Sequence, residues 1–153
     1  DQKIEAGVPI VIDIGAKFNG YHADLTRSFT LGKSDKRFNE IFDVVLTAQE
    51  TAIATIQSGI TGEKADSLAR AIIEDAGFGE NFGHSLGHGV GLAVHEYPRL
   101  AQSAEEILED GMIFTVEPGI YLSGWGGIRI EDVVELKDGR CWPLSQASKI
   151  REV

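Results

Sequence analysis

The chain has 153 residues, of which 42% are hydrophobic and 25% are charged, an ordinary composition for one soluble domain covering residues 1–153. The formal net charge of −10 excludes a nucleic acid as the main partner, because binding phosphates requires a basic face. The sequence has no apolar run long enough to span a membrane, so no membrane partner is expected.

Two further features bear on the origin and location of the chain. It begins at Asp1 and its single methionine is Met112, so we expect a processed or trimmed chain, or a fragment of a longer one. Its single cysteine, Cys141, cannot form an internal disulfide. A free thiol suits a reducing compartment, which predicts a cytoplasmic location.

The first predicted elements form an antiparallel pair of strands. Residues 8–14 read VPIVIDI, a mostly β-branched run between two glycines, which predicts a buried strand. Asn19-Gly20 is a strong hairpin signal, and a second strand is predicted from about Tyr21 to Leu31.

Two amphipathic helices are predicted next. Ser34 is a suitable N-cap for the first helix, which is predicted to end at Gly59. Thr61 caps the second helix, which is predicted to end at Gly77. Apolar residues recur at intervals of three and four and define the predicted buried faces. They are Phe38, Ile41, Phe42, Val45, Ala48, Ala52, Ile53 and Ile56 in the first helix and Ala65, Leu68, Ala69, Ile72 and Ile73 in the second.

The second half of the chain is predicted to contain mostly strands. Residues 77–91, GFGENFGHSLGHGVG, are rich in glycine, which indicates backbone that approaches a site closely. A short helix is predicted at residues 103–108. Further strands are predicted in MIFTVEP, GIYL and GGIRIEDVVEL, and Asp138-Gly139 closes a last hairpin. The order β-β-α-α-β-β-β defines an α+β domain.

Two aspartates lie on the predicted hairpin. Asp13 interrupts an apolar strand, where a buried carboxylate needs a partner; the alternative is that it caps the turn at Gly15. Asp24 follows on the partner strand, and the hairpin can bring both carboxylates together, where a shared cation would relieve their repulsion. A salt bridge from Asp24 to Arg27 is the alternative.

Three of the four histidines lie close together in the sequence. His84, His88 and His95 lie within 12 residues, on or next to the glycine-rich segment. A single histidine is more often structural than a ligand, but this grouping favours a functional role. The spacing does not fit a zinc finger, and the chain has no pair of cysteines.

Three charged residues follow in the last strands. Glu117 lies between a strand and Pro-Gly, so its side chain is predicted to point inward. Arg129 and Glu131 are two residues apart and share one face of a strand; the alternative is a solvent-facing ion pair. The resulting set of candidate ligands has four carboxylates and one imidazole, which suits two divalent cations with bridging carboxylates. The candidates are Asp13, Asp24, His88, Glu117 and Glu131.

These residues lie in segments that resemble a known family. DIGAKFNGYHADLTRSF, GHSLGHGVGLAVHEYP, GMIFTVEPGIY and GGIRIEDVVEL are similar to the successive motifs of metallopeptidase family M24. That family includes methionine aminopeptidases, Xaa-Pro aminopeptidases and prolidases on the α+β pita-bread fold. The resemblance runs from about Gly7 to Lys149 and implies the same fold here.

The resemblance also implies roles for single residues. Asp13 resembles the terminal aspartate ligand, and Asp24 and Glu131 resemble the two bridging carboxylates. His88 and Glu117 resemble the ligands of the other metal ion. Glu117 is also expected to take up and relay a proton. The family's two histidines near the substrate, and the arginine that supports the metal site, are matched by His84, His95 and Arg129.

The implied activity is that of a dinuclear metallo-aminopeptidase. Residues 24–27 and 129–132 resemble the Xaa-Pro aminopeptidase and prolidase branch, so the expected substrates are peptides with proline at the second position. The expected cofactors are two divalent ions, manganese first, with cobalt, zinc or iron as alternatives. Dimers are common in this family, so a homodimer is expected as well. The alternative functions are a methionine aminopeptidase and a non-catalytic module that binds proteins or peptides.

The chain departs from the family pattern at its start. The family's catalytic domain has further helices and strands before the strand of Asp13, including another active-site histidine. The chain is therefore expected to be the C-terminal part of the catalytic domain, incomplete at its N-terminal side. Activity is expected of the full-length protein.

Overall fold

A computed structural model of the protein describes residues 3–153. These residues form two long helices, one short 3-10 helix and nine strands. In chain order they are β1 (Ile10–Phe18), β2 (Tyr21–Phe29), α1 (Lys36–Thr55), α2 (Gly62–Asp75), the 3-10 helix (Gly79–Asn81), β3 (Gly87–Gly89), β4 (Glu96–Leu100), β5 (Ile113–Val116), β6 (Gly119–Leu122), β7 (Gly126–Arg129), β8 (Asp132–Lys137) and β9 (Arg140–Pro143).

The predicted hairpin is present as an antiparallel ribbon of β1 and β2. Asn19 and Gly20 have φ angles of 50° and 92°, the left-handed conformations that a tight hairpin turn requires. The prediction that the first strand is buried was wrong, because every residue of β1 after Ile10 is exposed. Among the described residues, β1 pairs only with β2, and neither helix packs on it.

Both helices are present, with differences at their ends. The N-cap of α1 is Asp35, whose carboxylate accepts from the backbone N–H of Phe38 at 2.7 Å, and not Ser34 as predicted. The Ser34 hydroxyl instead donates to the Glu152 carboxylate at 2.6 Å. The predicted cap of α2, Thr61, is confirmed, since its hydroxyl accepts from the N–H of Lys64.

The helix predicted at residues 103–108 is absent from the structure. This segment runs extended beside the start of α2, and its backbone carbonyls at Ala104 and Glu106 accept from the N–H groups of Glu63 and Gly62. The first turn of a helix has N–H groups without intrahelical partners. Satisfying them from outside outweighs the weak local preference of this segment for a helix.

The main sheet has five antiparallel strands in the order β4-β3-β5-β8-β9. Strands β3 and β4 were not predicted. The glycines of β3 allow close approach to the neighbouring strands, because a Cβ at Gly87 would lie 1.9 Å from the Thr115 carbonyl oxygen and one at Gly89 would lie 2.1 Å from that of Tyr97. The expected close backbone approach in the glycine-rich segment is therefore present.

The hydrophobic core lies between the helices and the strands. Phe38, Ile41 and Phe42 of α1 are buried together with Phe114 and Val134 of the main sheet. The segment predicted as one strand at GGIRIEDVVEL is divided between β7 and β8, which belong to different sheets. Among residues 3–153, neither helix combines the length and apolarity that a membrane span needs.

Candidate metal centre

The candidate site forms where three parts of the fold meet. The ribbon contributes Asp24 from β2, the main sheet contributes His88 from β3, and Glu131 lies at the break between β7 and β8. The backbone N–H of Glu131 donates to the carbonyl oxygen of Thr26, which joins this break to the ribbon. Residues more than 100 positions apart in the sequence are thereby brought to one point.

Three of the five predicted ligands form a compact group. Asp24, His88 and Glu131 each offer one ligand atom, and these atoms lie within 4.8 Å of one another. Asp24 and His88 are half-buried and Glu131 is buried. The alternative of a solvent-facing pair between Arg129 and Glu131 is wrong, because Glu131 is only 1% exposed.

Glu117 is attached to this group through His88. One of its carboxylate oxygens lies 3.2 Å from Nε2 of His88 and accepts from the Thr115 hydroxyl at 2.9 Å. The Thr115 hydroxyl in turn accepts from the backbone N–H of His88 at 3.0 Å. Glu117 follows β5 directly, so the end of that strand and one buried threonine fix its carboxylate beside the imidazole.

Asp13 lies at the edge of the site. In the ribbon register, Asp13 is opposite Thr26 and Gly15 is opposite Asp24, so the two aspartates share one face as diagonal neighbours. The Asp13 side chain is 54% exposed and forms an ion pair with Arg129. The predicted burial of Asp13 was therefore wrong, although the predicted need for a charged partner is met.

The electrostatics of the group reflect its dense negative charge. Burial, together with the nearby charge of Glu117, raises the pKa of Glu131 to about 8. The pKa of Asp24 is also raised, first by burial and then by Asp13. Burial is the largest single influence on His88 and would lower its pKa, but the hydrogen bonds to Glu117 and Gly89 and the charges of Glu117 and Asp24 together outweigh it, so the pKa is raised.

The donor set fits a divalent cation. Burying several carboxylates together is unfavourable unless a positive charge compensates them, and the raised pKa of Glu131 expresses this cost. Carboxylate oxygens with one imidazole are ligands that manganese, zinc, cobalt and iron accept. Asp24, His88 and Glu131 would hold an ion between them, with Glu117 close enough to join.

A cavity of about 580 Å³ opens beside the group. His84 and His95, the two predicted non-ligand histidines, line it together with His88, Glu117 and Arg129. The rings of His88 and His95 lie 4.1 Å apart. The cavity is therefore large enough for a small peptide and is lined by groups that can donate to a carbonyl oxygen.

Sequence reasoning missed two side chains that link the predicted ones. The hydroxyl of Tyr121 lies 3.0 Å from Nε2 of His84 and accepts from the Arg129 guanidinium at 3.1 Å. The Thr26 hydroxyl donates to the Glu131 carboxylate at 2.5 Å and accepts from Nε of Arg129 at 3.1 Å. Neither residue type stands out in the sequence, because single hydroxyl groups are common on strands.

Arg27 fastens the site to the rest of the fold. It does not pair with Asp24, the alternative considered from the sequence, but with the buried Asp132 at 2.6 Å. Its guanidinium also donates to the carbonyl oxygens of Thr26 and Glu131. The Lys149 ammonium group also lies 3.3 Å from an oxygen of the Asp132 carboxylate, so this carboxylate pairs with two cations.

We expect Asp132→Ala to lower the free energy of unfolding by about 3–5 kcal/mol, because removing one partner of a buried pair leaves charge uncompensated. Urea denaturation of the purified protein measures this loss. Asp43→Ala is the matched control, since Asp43 pairs with Arg151 where both side chains are exposed. The control is expected to cost about 0–1 kcal/mol. Equal losses in the two variants would contradict the assigned role of Asp132.

The fold and the cluster together define an α+β domain with a carboxylate-rich candidate metal centre, and comparison with known proteins gives the family. The family model described as metallopeptidase family M24 matches residues 1–138. The chain belongs to metallopeptidase family M24.

Individual relatives agree with this assignment. The chain is 44% identical over 149 residues to the Xaa-Pro dipeptidase of Pyrococcus furiosus, covering 97% of this chain and 43% of that protein. Its structure is similar to that of a dipeptidase from Pyrococcus horikoshii, with a TM-score of 0.97 and 44% identity over 100% of this chain and 43% of the other. An X-Pro aminopeptidase from Thermotoga maritima gives a TM-score of 0.94 at 45% identity, over 97% of this chain and 43% of the other.

These similarities confirm the predicted α+β pita-bread fold. The chain spans about two fifths of the length of the curated relatives that it matches. Membership of a metallopeptidase family implies divalent metal ions, and the group of Asp24, His88 and Glu131 is the candidate place for them.

Proposed function

We propose that this chain is the metal-binding part of a dinuclear metallopeptidase that cleaves the bond between an N-terminal residue and proline. The observation that carries the proposal is the convergence of Asp24, His88 and Glu131 within 4.8 Å in a chain of family M24. Three relatives at 42–48% identity are Xaa-Pro dipeptidases, which favours proline-directed cleavage over removal of methionine.

The ligand assignment is part of this proposal. Asp24, His88 and Glu131 would hold the ions, with Glu117 and Asp13 as the further ligands. For Asp13 to bind an ion, its carboxylate must be shared with or released by Arg129, to which it is now paired. Manganese is the proposed native ion, because it accepts a carboxylate-rich set. A cytoplasmic homodimer is proposed as the working form.

The side chains around the cavity divide the chemistry between them. Divalent ions, when bound, would supply the positive charge that lets a water molecule lose a proton near neutral pH, which prepares it to attack the peptide carbonyl carbon. Glu117 takes up the proton and relays it to the leaving nitrogen. His95 donates to the substrate carbonyl oxygen as it gains charge, and His84 can do the same once it exchanges its present contact with the Tyr121 hydroxyl for one with the substrate. Arg129, held by Tyr121 and Thr26, keeps the Asp13 side of the site in place.

The test is metal analysis combined with hydrolysis assays. The purified full-length protein, which is the form used in every activity assay described below, is stripped with a chelator and reloaded with manganese, cobalt or zinc, and bound ions are counted. We expect about two ions per chain, the number for which two-metal sites are built, and faster hydrolysis of Ala-Pro than of Met-Ala. Preferred cleavage of Met-Ala would favour a methionine aminopeptidase. Metal-free protein that binds peptides without cleaving them would favour the non-catalytic module.

Arg99 is the residue that we propose restricts the substrate to a dipeptide. The described residues place two arginines in the cavity lining, and Arg129 is already engaged by Asp13 and Tyr121. Arg99 is exposed on β4, and its guanidinium can bind the free carboxylate of a bound Xaa-Pro dipeptide.

We expect Arg99→Ala to raise the KM for Ala-Pro about 10- to 100-fold, since a hydrogen bond to a charged group contributes about 1.5–3 kcal/mol. The KM for Ala-Pro amide, which has no carboxylate, is expected to stay unchanged. Steady-state kinetics on both substrates measure the difference. Arg140→Ala is the control, because Arg140 lies beside Trp142 on β9, outside the cavity lining. Equal effects on the KM of the two substrates would show that Arg99 does not bind the carboxylate of Ala-Pro.

A further inference from the structure

The loop that carries His84 is held from behind by a buried ion pair. Asp66 and Arg70 lie one turn apart on α2, with 1% and 9% of their surfaces exposed. The guanidinium binds the carboxylate with two hydrogen bonds, of 2.6 Å from Nε and 3.0 Å from a terminal nitrogen. Neither residue belongs to the candidate ligand group.

This pair makes three hydrogen bonds to the backbone of the loop. Arg70 donates to the carbonyl oxygens of Phe82 at 2.9 Å and of His84 at 2.8 Å, and Asp66 accepts from the N–H of Leu86 at 3.0 Å. The guanidinium also lies 4.2 Å from the centre of the Phe82 ring. The contacts lie at His84 itself and two residues to either side of it.

The loop needs these hydrogen bonds because its own sequence does not restrict its backbone conformation. Gly83 precedes His84, and a Cβ at Gly83 would meet no atom within 4 Å, so local packing does not fix the backbone there. The far end of the loop is anchored to the site, since the Leu86 carbonyl oxygen accepts from the N–H of Glu117 at 2.8 Å.

We propose that the Asp66–Arg70 pair is a positioning device that fixes the His84 imidazole at the cavity, where it meets the substrate. The inference rests on the proposed peptidase function. The planar guanidinium makes four hydrogen bonds here, two to the carboxylate and two to carbonyl oxygens, whereas the ammonium group of a lysine has only three N–H donors. The pair is therefore proposed to act on the reaction through His84, and the double-mutant cycle below distinguishes this route from one that runs through Leu86 to Glu117.

A double-mutant cycle between Arg70→Lys and His84→Ala tests the proposal. We expect Arg70→Lys alone to lower kcat for Ala-Pro about 10- to 100-fold, because small displacements of a positioned group are costly, with bound metal unchanged. In the His84→Ala background the same substitution is expected to change kcat less than about threefold, since residues acting as a unit are not additive. Arg151→Lys, in the exposed pair with Asp43, is the control and is expected to leave kcat unchanged.

Amide hydrogen exchange gives a readout that does not depend on activity. In Asp66→Asn, which keeps the side-chain volume, we expect the Leu86 amide to exchange at least about tenfold faster, while amides of β8 stay as in the wild type. This variant also serves if Arg70→Lys does not fold.

Two outcomes would overturn the proposal. The first is lower stability with unchanged kcat, which a purely stabilising role predicts, and the second is additive effects in the double-mutant cycle. If the metal-loaded wild type does not cleave Ala-Pro, the proposed function fails, and an unchanged Leu86 amide would then overturn the positioning inference on its own.

Discussion

Replacing Glu117 by glutamine is expected to lower kcat for Ala-Pro about 10²- to 10⁴-fold, the usual contribution of a positioned acid or base. Glutamine keeps the shape of the side chain and can still accept from the Thr115 hydroxyl, which now lies 2.9 Å from the carboxylate. It cannot take up a proton from water, so the chemical step is affected more than folding. Steady-state kinetics on metal-loaded protein measure the effect, with bound metal counted for each variant.

The metal count separates two reasons for a loss of activity. If Glu117→Gln retains its metal and loses kcat, proton relay is the main role of Glu117; if metal is lost as well, ligation is included. Glu135→Gln on β8 is the control, because Glu135 lies on a neighbouring strand outside the cavity lining. Metal-loaded Glu117→Gln with kcat within threefold of the wild type would refute a catalytic role for Glu117.

Local patterns predicted the elements that depend on near neighbours. The Asn19-Gly20 hairpin and the Thr61 cap each require only a few adjacent residues, and both are present. The missing helix at 103–108 shows the limit of this reasoning, because its backbone is taken by the N–H groups at the start of α2. These hydrogen bonds connect segments about 40 residues apart, so a short stretch of sequence does not predict them.

The candidate site was predictable in its residue types but not in its connections. Carboxylates in apolar strands and clustered histidines marked the candidate ligands, since such groups are costly without a function. The structure adds that Asp13 turns to Arg129 while Asp24, His88 and Glu131 form the compact group. Which carboxylate meets the cation and which meets an arginine depends on the break between β7 and β8, and this break has no sequence signature.

The supporting residues gave the weakest sequence signal. Asp66 and Arg70 are four apart on a helix, a spacing that usually indicates an exposed surface pair. In the structure they are buried, and the loop at 82–86 binds them from outside the helix. Residues that act through the backbone of another segment leave no pattern in their own segment.

Glu131→Gln is expected to make the metal-free protein more stable at pH 8 and to weaken metal binding. Glu131 is 1% exposed, and burial raises its pKa from 4.5 to about 8. Between these values, folded metal-free protein holds a proton that the unfolded chain has released. Stability of the wild type should therefore fall as pH rises from about 5 to 8, by at most about 1.4 kcal/mol per pH unit for this one group.

The neutral amide of glutamine has no charge to bury, so the pH dependence from this position should vanish in Glu131→Gln. The amide oxygen can still accept from the Thr26 hydroxyl, which keeps the packing comparable. A divalent ion takes the place of the proton on Glu131, so metal binding to the wild type should release protons and tighten as pH rises towards 8. Urea denaturation of chelator-treated protein at pH 5, 6.5 and 8, with Glu135→Gln as control, measures the first effect, and calorimetric metal titration in two buffers measures the second. If the stability advantage of Glu131→Gln over the wild type does not grow over this range, Glu131 is already ionised and compensated without metal, and the case for a cation between Asp24, His88 and Glu131 loses its physical basis.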